Sequence, residues 1–130
     1  MTVVVAYSPD PYGEAALDAG LDQARQGGDL LVVVNATKGD ALVDRRYAGS
    51  DQVADLEQRL ADSGVEHELR QDVVSDVAGA VVAAATASQA RLIVVGVRHR
   101  SPVGKAIMGS IAQQVILDAD VPVLSVKPAR

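Results

Sequence analysis

The stretch Gly96 to Ser110 (GVRHRSPVGKAIMGS) joins an apolar strand pattern, Leu92 to Val95, to a helix pattern that opens at Ser110. No Asp or Glu occurs between Val77 and Leu117, yet Arg91, Arg98, Arg100 and Lys105 all fall there, in a chain whose net charge is -5. A basic, glycine-punctuated loop running into a helix N-terminus offers backbone N–H groups, the positive helix end and cationic side chains to one anion. Phosphate binding is the chemistry this suits. An ordinary solvated loop whose glycines merely turn the chain has the same composition and is the alternative.

Other chemical constellations are thin. There is no G-x-S-x-G elbow and no H-E-x-x-H, and the two histidines, His67 and His99, cannot form a three-histidine metal site. Gly104-Lys105 looks like the end of a Walker A motif, but Ala106 stands where Ser or Thr is needed and His99 where the first glycine would fall. The chain has no cysteine, which excludes disulfides, thiolate metal sites and Cys nucleophiles and suits a cytoplasmic protein.

These residues need a frame to hold them. With 130 residues, 48% hydrophobic and 22% charged, the chain reads as one globular domain over 1–130. No apolar run approaches the ~20 residues of a membrane span, and Met1 to Val5 lacks the basic region and cleavage site of a signal peptide. An acidic balance without Trp or Phe removes both the electrostatic footprint and the stacking residues of nucleic-acid binding.

Short β-branched runs alternate with helical patterns. Strands are expected at Val3–Tyr7, Leu30–Ala36, Glu66–Val73, Leu92–Val95 and Val121–Val126, the third exposed on one face. Helices are expected at Pro11–Gln26, behind an Asp10 cap and closed by Gly27-Gly28, at Asp51–Ala61, from a Ser75 or Asp76 cap to Gln89, and at Ser110–Leu117. The polar loop Thr37–Ser50 is long for a compact domain.

Central strands apolar on both faces and joined by helices indicate an α/β fold, a single doubly wound parallel five-stranded sheet with helices on both faces. In the order 3-2-1-4-5 the connections reverse between strands one and four, where ligands of such sheets bind beyond the strands' carboxyl ends. The rim there is Tyr7 to Asp10 and Gly96 to Ser110, so topology and charge select one place.

The last third of the chain resembles the universal stress proteins. That family carries, after strand four, Gly, two residues, Gly, nine residues, Gly, then Ser or Thr, followed by a helix and a strand reading P-V-L. Gly96, Gly109 and Ser110 match at the expected spacing, and Ile111 to Val126 (IAQQVILDADVPVLSV) is similar to the family's closing helix and strand. Two positions depart from it: His99 replaces the second glycine, and Ser8 replaces the acidic residue that usually follows strand one. In nucleotide-binding members that acid contacts the ribose and the glycines let the backbone approach the phosphates. His99 could obstruct that approach or, beside Arg98, Arg100 and Lys105, contact phosphate directly.

The resemblance implies an ATP-binding regulatory module, with Mg2+ held mostly by the phosphates, that signals as a homodimer through the C-terminal strand Val121–Val126. The site residues expected on this footing are Tyr7, Ser8, Asp10, Val34, Asn35, Val95, Gly96, Arg98, His99, Arg100, Lys105, Gly109, Ser110 and Ile111. Duller roles stand beside several: Ser110 as a helix N-cap, Gly109 as a turn glycine, Asp10 as an N-cap first, Asn35 in a local Asx turn. Acid–base machinery would have to come from His99 or Asp10, so any ATP hydrolysis is expected to be slow. The alternative is an interaction module of the same family that binds no nucleotide. A receiver domain lacks its acidic pair here, and a flavin site would want more aromatics than Tyr7, Tyr12 and Tyr47.

Overall fold

A computed structural model describes residues 1–37, 49–98 and 109–128. Strands and helices alternate as β1 (Thr2–Ala6), α1 (Pro11–Gly27), β2 (Leu30–Thr37), α2 (Ser50–Asp62), β3 (His67–Val73), α3 (Val77–Ala87), β4 (Ala90–Gly96), α4 (Ser110–Asp118) and β5 (Val123–Val126). All strand pairs are parallel and the order is β3-β2-β1-β4-β5, the doubly wound arrangement expected from the apolar strands.

The local chemistry explains the element boundaries. Asp10 caps α1 by accepting from the Gly13 N–H at 2.9 Å, Pro11 takes the first helical position, and Gly28, at φ 64, closes the helix. Asp76 caps α3 in the same way through the Gly79 N–H. Alternation along the strands divides the core into two layers. Val4, Val32, Val34, Ile93 and Val95 face α3 and α4, while Val3, Val5, Leu31, Val33 and Val94 face α1 and α2. The alanine-rich α3 buries Ala78, Val81, Ala84 and Ala85, small side chains that let it sit close to the sheet.

The structure moves several expected boundaries. β1 ends at Ala6, and Tyr7 continues only as far as an N–H donated to the Val34 carbonyl at 2.9 Å. α3 stops at Ala87, after which Gln89 adopts φ 54. β5 starts at Val123 rather than Val121, because Pro122 has no N–H to contribute and offers only its carbonyl, which accepts from the Ile93 N–H at 3.0 Å.

At the amino ends of the strands, Arg91 of β4 donates twice to Asp29, from Nε at 3.0 Å and Nη2 at 2.8 Å. The Asp29 side chain is 2% exposed and also lies 3.4 Å from the Met1 amino group. The Arg91 hydrogen bonds outweigh burial and hold the Asp29 carboxyl below its ordinary value.

Candidate functional site

β1 is followed by α1 on one face of the sheet and β4 by α4 on the other, so the chain leaves these neighbouring strands in opposite directions. Their carboxyl ends part, and a cleft of about 340 Å³ opens between them. Its floor is apolar: Ala6, Val34, Ala36 and Val95 from the strands, Val77 and Val81 from α3, and Ala112 from α4. Its rim is polar, built from the turn Tyr7 to Gly13 on one side and Gly96, Arg98 and Gly109 to Ile111 on the other.

Ten of the residues singled out in sequence therefore meet here: Tyr7, Ser8, Asp10, Val34, Val95, Gly96, Arg98, Gly109, Ser110 and Ile111. His99, Arg100 and Lys105 lie outside the described residues. Asn35 does not line the cleft. Strand alternation sends its side chain to the opposite face, fully buried, where Nδ2 donates to the Tyr7 carbonyl at 3.0 Å and Oδ1 accepts from Gln71 Nε2 at 3.0 Å. A partner 28 residues away replaces the local Asx turn.

The lining residues that sequence reading missed include Tyr12, Gly13, Val77 and Val81. Tyr12 and Gly13 occupy the first turn of the helix after β1, and Val77 and Val81 an i,i+4 pair at the start of α3. A helix that crosses over a parallel sheet starts beside the strands' carboxyl ends, and that signal was available.

The two matched glycines do different things. A Cβ on Gly96 would fall on the Tyr12 backbone, and one on Gly13 on the Ser8 backbone, so both are needed for α1 to seat its first turn against β4 and the end of β1. Gly109 has φ -61 and ψ 146, open to any L-residue, and a Cβ there would meet no described atom within 4 Å. Gly109, and not Ser110, is the N-cap of α4. Ser110 is the first helical residue, and the cap contributes no side-chain hydrogen bond. The first turn of α4, Ser110, Ile111 and Ala112, thus begins at the cleft with no capping side-chain hydrogen bond among the described residues.

Charge follows the same division. Arg98 is the cation lining the cleft among the described residues, and Asp10 is the carboxylate, with one oxygen already given to the α1 cap. Tyr7, buried at the back of the rim, donates its hydroxyl to Glu14 Oε1 at 2.8 Å, and Arg59 of α2 donates to Glu14 Oε2 at 2.6 Å. Burial, and then the Glu14 carboxylate, push the Tyr7 phenol well above its ordinary range, so it stays protonated and acts as a donor.

A model of the universal stress protein family matches residues 1–127. The chain belongs to that family. A universal stress protein of Mycolicibacterium smegmatis is 48% identical over 126 residues, 97% of each chain. The solved structure of a universal stress protein from Archaeoglobus fulgidus matches at a TM-score of 0.79 and 29% identity, covering 98% of both chains. A further structure from that organism, a universal stress protein in complex with dAMP, matches at a TM-score of 0.66 and 25% identity, again over 98% of both chains. The order β3-β2-β1-β4-β5 is thus the fold of this universal stress protein family member and of its solved relatives.

Proposed function

We propose that the cleft binds an adenine nucleotide, ATP, and that the protein is a nucleotide-responsive regulatory module of the cytoplasm that acts as a homodimer. One observation carries the ligand reading: the N-terminus of α4, capped by Gly109 with no side-chain hydrogen bond among the described residues, and Arg98 line an apolar-floored cleft. The apolar floor suits a base, and the N–H groups and guanidinium suit phosphates. The related structure in complex with dAMP supports the same ligand class. Mg2+ would be carried mostly by the phosphates. With Ser8 in place of an acid, hydrogen bonds to the ribose fall to the Ser8 hydroxyl and the second Asp10 oxygen.

Calorimetric titration of the purified protein with ATP, ADP and AMP tests this reading. Binding should strengthen with each added phosphate. Absence of heat at millimolar ATP would overturn it and leave an interaction module of the same fold.

The homodimer reading rests on a comparison of the two sheet edges. β3 carries Glu68, Arg70 and Asp72, charges that oppose strand addition, whereas Val123 to Val126 carries none. The Pro122 and Val126 carbonyls accept from Ile93 of β4 and from Val97 just after it, so by alternation Val123 and Ser125 turn their backbone polar groups to the open edge. A second copy of β5 related by a two-fold axis would pair with them.

A further inference from the structure

Tyr7 and Asp10 line two cavities at once, the cleft and, behind it, a groove of about 490 Å³ between α1 and α2. The turn from Tyr7 to Asp10 thus borders a cavity on each side, and polar contacts add to the packing of Tyr7 in the core and of Ser8 against Gly13 in fixing its position. The Tyr7 N–H is held by the Val34 carbonyl at 2.9 Å, its carbonyl by Asn35 Nδ2 at 3.0 Å and its hydroxyl by Glu14 Oε1 at 2.8 Å.

Asn35 is the unexpected member. It is fully buried on a strand otherwise apolar from Leu30 to Ala36, where another valine would pack without burying an amide. What the amide supplies is specific: it ties the end of β1 to β2 and, through Gln71 Nε2, to β3. On the other side Glu14 ties the Tyr7 hydroxyl to α1 and, through Arg59, to α2. One polar chain, Gln71 to Asn35 to Tyr7 to Glu14 to Arg59, thus joins four elements, β3, β2, α1 and α2, to the residue that follows β1 and begins the cleft's wall. Past Tyr7, the Ser8 backbone abuts Gly13 and the Asp10 N–H donates to the Ser8 carbonyl at 2.9 Å, so a shift of Tyr7 moves the whole turn.

We propose that Asn35 and Glu14 are positioning residues of the cleft, which hold the Ser8–Asp10 wall through Tyr7 from the far face of the sheet and tie the site's geometry to α2 and β3. This rests on the nucleotide reading for its effect on binding, though not for its effect on the wall.

The test compares Asn35→Leu, Glu14→Leu, Glu14→Gln and, as a control in the same core layer at the far end of the sheet, Val65→Ala. Each is melted, titrated with ATP well below its melting temperature, and recorded without ligand by amide NMR at Ser8, Asp10 and Gly13. Asn35→Leu and Glu14→Leu should each weaken ATP about tenfold, because a buried partner of Tyr7 is left unmatched. Glu14→Gln, whose Oε1 still accepts from the hydroxyl, should restore binding, and Val65→Ala should lower the melting temperature with affinity unchanged. Unaltered affinity in both leucine variants, or an equal loss in Val65→Ala, would overturn the proposal. If Asn35→Leu does not fold, the half-exposed Glu14 pair carries the test. If the wild type binds no ATP, the ligand reading is what fails, and the free spectra still decide: shifted Ser8, Asp10 and Gly13 amides in the leucine variants uphold the positioning role, and unmoved ones end it.

Discussion

Gly109→Asp should make the protein more stable and less able to bind. The position is the N-cap of α4, with backbone angles that an N-cap aspartate adopts without strain, in space that no described atom occupies. The new carboxylate would accept from the N–H of Ile111 or Ala112, which gains a few tenths of a kcal/mol over glycine. It would also place a negative charge at the positive end of the helix, for about 0.3 to 1 kcal/mol. Loss of glycine's freedom in the unfolded chain adds about 0.4 to 1 kcal/mol. All three terms have one sign, so a net gain of about 1 to 2 kcal/mol and a rise of roughly 4 to 8 °C in the melting temperature are expected. The same carboxylate occupies an N–H proposed for phosphate and repels the phosphate itself. Loss of one charge-assisted hydrogen bond plus that repulsion should raise the ATP dissociation constant at least about a hundredfold. Differential scanning calorimetry and ATP titration read the two effects separately. A stabilised variant with unchanged affinity would refute phosphate binding at α4, and a destabilised one would refute the cap geometry.

Three further outcomes follow from the same structure. Gly96→Ala drives a Cβ into the Tyr12 backbone, so it should lower the denaturant-derived stability by about 1 to 3 kcal/mol or more and weaken ATP by displacing the first turn of α1. Asp29 is held below its ordinary pKa of 3.8, chiefly by Arg91, so its contribution is complete above that value and is lost as pH falls through the lower folded one. Chemical unfolding followed from about pH 5 to pH 2 should show a loss of stability that Asp29→Asn flattens. Arg91→Leu, which strands the buried carboxylate, should cost about 3 kcal/mol at neutral pH, the low end for a broken buried pair because Arg91 is 31% exposed. Ser125→Pro removes an N–H turned to the open edge of β5 and none that bonds β4, so if the proposed β5 dimer forms, light scattering should find the wild type dimeric and this variant a folded monomer. An unchanged mass would place the interface elsewhere.

What could be read from the chain was whatever local chemistry determines. Val-rich runs without polar alternation state that both faces of the central strands are covered, and Asp10-Pro11 with Gly27-Gly28 bracket α1 through capping groups within a few residues of one another. From alternating strands and helices the fold and its switch point follow, and with them most of the cleft's rim. What escaped depends on pairing over distance. Asn35 is identifiable as a buried polar residue, but its partners, the Tyr7 carbonyl and Gln71, are set by the register of three strands. Pro122 shortens β5 by a rule that sequence does contain. The replacement of Ser110 by Gly109 as the cap depends on where the chain enters α4, which composition does not specify.

The two glycines of the family pattern consequently carry unequal weight. Gly96 is required whether or not a ligand exists, since the Tyr12 backbone already occupies the place of its side chain. Its match to the pattern speaks for the fold, through the seating of α1 on β4. Gly109 is required by neither backbone angle nor described neighbour, and the residues that follow it line an apolar-floored cleft together with Arg98. A side chain there would stand between the helix and the proposed phosphate, a reading that would give glycine a physical reason to occupy a cap position where Ser or Asp would hold the helix better. Arg98 and Gly109 to Ile111 line the cleft among the described residues, so the proposed ligand reading stands on them, and a single carboxylate at Gly109 should be enough to break it.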